Sequence, residues 1–260
     1  MTIIRPPAVA GLFYPVDTEE LTLDIQQLLT EAKHHNLTPK VLIVPHAGYV
    51  YSGAIAATAY NTLRPIAATI KRVVLLGPTH RVAVHGLALP DADVFKTPLG
   101  QVKLDKDAIQ AIAHLPQITI NAEAHAMEHS LEVQLPFLQS VLTNFTLLPL
   151  AVGMASAQAV AEVLELLWGD DETLIVISSD LSHYLRYATA KHVDNATVQS
   201  ILQLQQPVAH DHACGSTPIS GLIIAAKKHQ LTPHLLDLRN SGDTAGTREQ
   251  VVGYAAIAFS

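Results

Sequence analysis

The chain has 260 residues, 49% of them hydrophobic and only 15% charged, which excludes a disordered polypeptide and is enough material for a large buried core. Sixteen basic residues against 23 acidic ones give a formal net charge of −7, with no Lys/Arg cluster, so a nucleic-acid partner is not expected. A single cysteine cannot form an internal disulfide, the N-terminal residues lack a signal-peptide layout, and the longest apolar region, 147–168, is broken by Gly153, Ser156, Gln158, Glu162 and Glu165. A cytoplasmic protein with no membrane span is the default expectation, organised as one domain over residues 1–260.

In chain order, Asp17-Thr18-Glu19-Glu20 signals a helix start, and Leu21, Ile25, Leu28 and Leu29 supply an apolar stripe to about Lys33. A core strand is predicted at 41–44 and an alanine-rich helix at 53–63 with Ser52 as its cap. A second strand at 72–76 precedes short strands and turns over 86–104, punctuated by Pro90, Pro98 and Gly100. Helices are predicted at 105–114 and 130–142, a strand at 146–152, a helix at 157–168 and a strand at 173–178. Thr217-Pro218 reads as an N-cap followed by proline at the first helical position, opening a helix to about His229, and strands at 234–239 and 251–259 close the chain at an antiparallel edge. Alternation of this kind predicts an α/β protein whose mixed, largely parallel sheet is covered on both faces.

Three strand-like runs end in potential metal ligands: 41–44 before Pro45-His46, 72–76 before Gly77-Pro78-Thr79-His80, and 173–178 before Ser179-Asp180 with His183. Because side chains at the carboxyl ends of neighbouring parallel strands meet in one crevice, His46, His80, Asp180 and His183 are expected to form one site. Each alone reads as an ordinary hydrogen-bonded histidine or a helix cap; the repetition favours a shared centre. Cys214, just ahead of the 217 helix start, is the natural further ligand, since a nearby helix N-terminus favours the thiolate that binds metal. His183 is the acid/base candidate, because imidazole titrates near neutrality, and Asp180 would orient a histidine or water. In Glu128-His129-Ser130-Leu131-Glu132, Glu128 and His129 are assigned to a supporting shell or substrate-pocket wall, with Tyr49 a further binding residue; Ser130 is a possible helix cap. Walker A, GxGxxG, GxSxG and HExxH patterns are absent, which removes the usual support for nucleotide binding and serine hydrolysis.

Six ordered motifs resemble the MEMO family, in prokaryotes also described as the B component of the AmmeMemoRadiSam system: Ala10-Gly11-Leu12-Phe13-Tyr14-Pro15, Pro45-His46-Ala47-Gly48-Tyr49, Gly77-Pro78-Thr79-His80, Glu128-His129-Ser130-Leu131-Glu132, Ser178-Ser179-Asp180 with His183, and Cys214-Gly215. The resemblance implies a three-layer α/β/α fold similar to LigB-type class III extradiol dioxygenases. It implies iron, as Fe(II), or copper held at His46, His80 and Cys214, with His183 at the acid/base position. The dioxygenases use a carboxylate where Cys214 stands, so ring cleavage itself is placed in doubt while metal-dependent redox chemistry on a small substrate is retained. The alternatives are a non-catalytic protein that binds a peptide or partner in the same pocket, with AMMECR1-like and radical SAM proteins as implied partners and an oligomer possible, and a metal-free thiol enzyme with Cys214 as nucleophile and His183 as base.

Overall fold

The computed structural model describes residues 2–260. Among the described residues, strands β1 (Ile4–Arg5), β2 (Val41–Val44), β3 (Arg72–Pro78), β4 (Leu87–Leu89), β5 (Val94–Thr97), β6 (Gly100–Lys103), β7 (Ile118–Ile120), β8 (Thr146–Val152), β9 (Thr173–Ser178), β10 (His183–Leu185), β11 (Pro233–Asn240) and β12 (Val251–Phe259) are interspersed with eight α-helices. The helices are α1 (Thr18–Glu31), α2 (Tyr49–Asn61), α3 (Lys106–Ile112), α4 (Ala122–Ala126), α5 (Leu135–Val141), α6 (Ala157–Leu167), α7 (Tyr187–Leu202) and α8 (Ser216–Lys228).

The main sheet runs β10-β12-β2-β9-β3-β8-β4-β7, with β11 also paired to β12. Its centre, β2-β9-β3-β8, is parallel, and β12 and β4 join it antiparallel on either side. Side chains alternate between two cores with the period of a strand. Leu42, Val44, Val73, Leu75, Leu174 and Val176 face a core shared with α1, α2 and α5, while Val41, Ile43, Val74, Leu76, Ile175 and Ile177 face one shared with α6 and α8. The architecture is therefore helices, mixed sheet, helices, as the alternating pattern predicted. A separate small sheet, β1-β5-β6, ties the N-terminal residues to the 94–103 hairpin.

Three element boundaries differ from expectation. Helix α2 begins at Tyr49 behind Gly48 rather than at Gly53, and Ser52 lies inside it with its hydroxyl donating to the Ala47 carbonyl. Residues 127–131 are not helical; Glu132–Gln134 form one 3-10 turn before α5, whose first turn accommodates Pro136. Helix α8 starts one residue before Thr217, with Gly215 as its cap. Helix α7, with a weakly patterned and polar sequence, was not foreseen. No helix among the described residues is long and apolar enough to cross a membrane.

Candidate functional site

Parallel pairing of β2, β9 and β3 sets the ends of these strands side by side, and each continues into a loop carrying a ligand-type residue. His46 follows β2, His80 follows β3, and Asp180 follows β9. His129 arrives from the loop before α5, and His183 from β10, whose approach is fixed where Leu181 N–H donates to Gly253 and Gly253 N–H donates to Ser182. His46, His80 and His129 each offer a ligand atom within 4.8 Å of the others. Their ring centroids lie 5.2 Å apart for His46 and His80, 4.6 Å for His80 and His129, and 5.4 Å for His46 and His129.

The hydrogen-bond pattern shows that Nδ1 of two of these rings carries a proton. Ser178 Oγ donates its single hydrogen to the Ser130 carbonyl at 2.6 Å and accepts from Gln134 Nε2 at 2.8 Å. His46 Nδ1, 2.8 Å from the same oxygen, must therefore be the donor, and Nε2 is left with its lone pair. Gln134 is itself fixed, because its Nε2 also donates to the Pro45 carbonyl while its Oε1 accepts from the Tyr60 hydroxyl. The other ring has a carboxylate behind it. Glu128 Oε1 accepts from His80 Nδ1 at 2.8 Å, and its carboxylate also accepts from the backbone N–H groups of His80, His129 and Ser130. Burial works against the charge, yet these donors win and hold the Glu128 carboxyl down at about 2. Histidines whose outer nitrogen is held by a carboxylate or hydroxyl, leaving the other lone pair free, are the usual arrangement at metal centres.

Two glycines permit this assembly. A Cβ at Gly77 would sit 2.8 Å from Ser130 Oγ, so glycine lets the 128–131 loop close onto the end of β3 and bring Glu128 to His80. A Cβ at Gly215 would sit 2.6 Å from Ser179 Cβ, so glycine lets the start of α8 press against the end of β9. Cys214 consequently lies against Asp180: Asp180 N–H donates to Sγ at 3.3 Å, and Cys214 N–H donates to the Asp180 carbonyl at 3.3 Å. Sγ also approaches His46 Nε2 to 3.3 Å, so thiol and imidazole are close enough to be neighbours on one ion.

Burial favours the neutral form of His46, His129 and His183. It lowers His46 well below the ordinary histidine range, with neighbouring histidines adding to the effect, brings His129 to about 4, and lowers His183. Asp180 is pushed up to about 7 by burial, although Oδ1 accepts the His46 N–H at 2.7 Å. Burial, reinforced by Asp180, pushes the Cys214 thiol up to about 12. The thiolate expected from the nearby helix start does not arise from the protein alone; desolvation and the adjoining carboxylate outweigh the helix dipole, and a bound cation is needed to reverse the balance. The three imidazoles fit such a cation by their spacing, whereas Cys214, expected as the third ligand, stands next to His46 alone and lies outside the three-histidine cluster.

His46, His80, His129, Asp180 and His183 line a crevice of about 610 Å³ together with Phe13, Tyr51, Tyr184 and Tyr254. Cys214 instead faces a cavity of about 680 Å³ on the other side, bounded by Thr79, Met154 and His210. Tyr49 is not in the crevice. Its ring is buried against Phe137 and its hydroxyl donates to the Val133 carbonyl, so the binding position expected for it is taken by Tyr51, one half-turn further along α2. The sequence assigns no role to Ser178, which closes the β9 run, or to Gln134, a polar residue between Val133 and Leu135. Glu132 is not part of the site: its carboxylate takes the Arg5 guanidinium, the N–H groups of Ala8 and Val9, and the Tyr14 hydroxyl.

Comparison with known proteins identifies the family. The family model described as Memo-like protein matches residues 5–258. A MEMO1 family protein of Aquifex aeolicus is 35% identical, with 98% of this chain and 99% of the relative covered. A second, from Methanosarcina barkeri, is 36% identical with the same coverage. A third, from Archaeoglobus fulgidus, is 35% identical, again with 98% and 99% covered. Among solved structures, an uncharacterized protein of Escherichia coli K12 superimposes with a TM-score of 0.51 at 14% identity, covering 82% of this chain and 98% of that one, a likeness of fold. Matched along nearly its whole length by family model and relatives alike, the chain belongs to the Memo-like family.

Proposed function

We propose that this protein is a metal-dependent redox protein acting on a small substrate, with Fe(II) as its first-choice ion and copper as the alternative. The observation that supports this most is the cluster of His46, His80 and His129, whose ligand atoms lie within 4.8 Å of one another, with His46 and His80 each anchored through Nδ1 to Ser178 and Glu128. In this reading His46 and His80 are the fixed ligands, His129 adds a nitrogen from the crevice side, and Cys214 adds sulfur from behind His46. An ion bound there would supply Lewis acidity and a metal-centred redox change. His183, on the crevice wall and half-buried, would take up or deliver a proton at its imidazole, and Asp180 would hold the His46 loop through backbone N–H groups.

A second reading, binding of a partner without turnover, is favoured by the exposed aromatic mouth, where Tyr184 is 70% and Tyr51 39% exposed. The thiol-enzyme reading is disfavoured, because Sγ contacts His46 rather than His183 and its proton is held tightly. Anaerobic reconstitution with Fe(II) or Cu(I), followed by oxygen uptake over a panel of reductants and phenols, separates the first two. Metal-dependent uptake that His46→Ala abolishes supports the redox reading. Metal uptake with no oxygen consumption for any compound supports the binding reading.

A further inference from the structure

Three residues that each work against the element they sit in meet at one point of the molecule. Asp194 lies in the middle of α7 and is buried, although aspartate is a poor helix former and its charge is costly to bury. Gly253 lies within β12, where a residue without a side chain weakens a strand. Tyr184, in β10, has a φ of +58°, in the left-handed region that residues other than glycine rarely occupy. Such departures persist only where the surroundings enforce them, and they gather at functional sites.

Their contacts connect the three. Asp194 Oδ1 accepts the Ser182 N–H at 3.0 Å. A Cβ at position 253 would lie 2.1 Å from Asp194 Oδ2, so glycine is what lets the carboxylate reach Ser182. From β12, Leu181 N–H donates to the Gly253 carbonyl at 2.8 Å, and Gly253 N–H donates to the Ser182 carbonyl at 2.9 Å. The backbone just before His183 is therefore gripped by α7 and β12 together. Immediately afterwards the ladder slips: β10 pairs with β12 at His183 and Val252 and again at Leu185 and Val251, with Tyr184 between them. His183 is thereby left half-buried on the crevice wall while Tyr184 stands exposed at its mouth. Charge pairing does not account for an acid at position 194. No ion pair among the described residues includes Asp194, and burial raises its carboxyl above the ordinary range. Its hydrogen bond to Ser182 is the contact that carries an effect towards the site.

We propose that Asp194 is the positioning residue for His183: by holding the Ser182 N–H it fixes the backbone that aims the imidazole into the crevice for proton transfer. This inference rests on the reading of His183 as the group that moves protons, and adds the residue that places it.

The test uses metal-free, full-length protein labelled with ¹⁵N-histidine, in which the His183 ring signals are assigned by their loss in His183→Gln. Burial holds His183 below the ordinary histidine value of 6.5 in the parent. In Asp194→Ala its signals are expected to shift and its titration to move towards 6.5, while those of His46 and His80, anchored by Ser178 and Glu128, stay in place. Asp194→Asn, whose amide carbonyl can accept the same N–H, is expected to match the parent. Gly253→Ala, which drives the carboxylate away from Ser182, is expected to match Asp194→Ala and serves in its place if that variant does not fold. His183 unmoved in a folded Asp194→Ala or Gly253→Ala protein, an Asn variant as displaced as the Ala variant, or equal displacement of all the histidine signals would overturn the proposal. Parent protein that takes up no Fe(II) or Cu(I) would sink the redox reading and leave the placement of His183 standing; metal-dependent oxygen uptake with His183 unmoved in Asp194→Ala would do the reverse.

Discussion

Glu128, in the loop after α4, and Glu132, at the start of the 3-10 turn four residues on, are both buried and both surrounded by hydrogen-bond donors, yet they do different things. Glu132 is spent on the fold: Arg5, the backbone of Ala8 and Val9, and the Tyr14 hydroxyl all donate to it, fastening the N-terminal segment across the sheet. Glu128 donates nothing to that clamp through its side chain; its partners are the His80 ring and the N–H groups of the residues that carry the site. The comparison teaches that a buried carboxylate is explained by the direction of its donors. Where they belong to distant backbone the charge holds the fold together, and where they belong to a ring with a free lone pair the charge prepares a ligand.

The largest effect should come from the clamp. Glu132→Gln leaves the Arg5 guanidinium buried without a counter-charge and should cost about 3–5 kcal/mol in denaturant unfolding, with metal binding retained by the protein that stays folded. Loss of metal with unchanged stability would erase the distinction between the two carboxylates. Next in size is a pH effect on the same side of the molecule. His125, beside the clamp with Nε2 on the Ala88 carbonyl, is brought by burial to about 4, below the ordinary histidine value of 6.5. The unfolded chain then binds the proton more tightly, so this contribution is complete above pH 6.5 and is lost as pH falls to about 4, on the order of 3 kcal/mol. Urea unfolding across this window should show a shallower decline for His125→Gln; identical profiles would mean the histidine is not buried neutral.

On the other side of the comparison, Glu128→Gln should weaken metal binding by about 10- to 100-fold in anaerobic titrations, with a smaller loss of stability than Glu132→Gln, because an amide orients the His80 ring less firmly than a carboxylate. The smallest effect is expected at Tyr49. Tyr49→Phe removes one buried hydroxyl bonded to the Val133 carbonyl and should cost about 1 kcal/mol with metal and ligand binding unaltered. A change in ligand affinity would return Tyr49 to the binding site.

The central strands at 41–44, 72–76, 146–152 and 173–178 were legible because each is an apolar run bounded by punctuation, and their parallel character followed from the helices between them, whereas the short β1, β7 and β10 carry no such pattern. The convergence of His46, His80 and Asp180 was legible for the same reason, since it depends only on strand ends. The clamp was not, because Arg5 meets Glu132 across more than a hundred residues and nothing local marks the pair. Tyr49 was misplaced because the start of α2 is set by tertiary contact: its N–H donates to Phe13 and Gly48 packs close to it, so the helix begins four residues before its alanine-rich stretch. His129 lay in a recognised motif, but its closeness to His80 depends on Gly77 admitting the loop, which no spacing rule conveys.

The most direct test of the central claim is the metal content of untagged protein purified anaerobically, measured by mass spectrometry beside His46→Ala and His80→Ala. The account predicts about one iron or copper per chain in the parent and a large loss in both variants, because both rings are anchored members of one cluster of ligand atoms. Parent protein that holds no transition metal and gains none on reconstitution would contradict it.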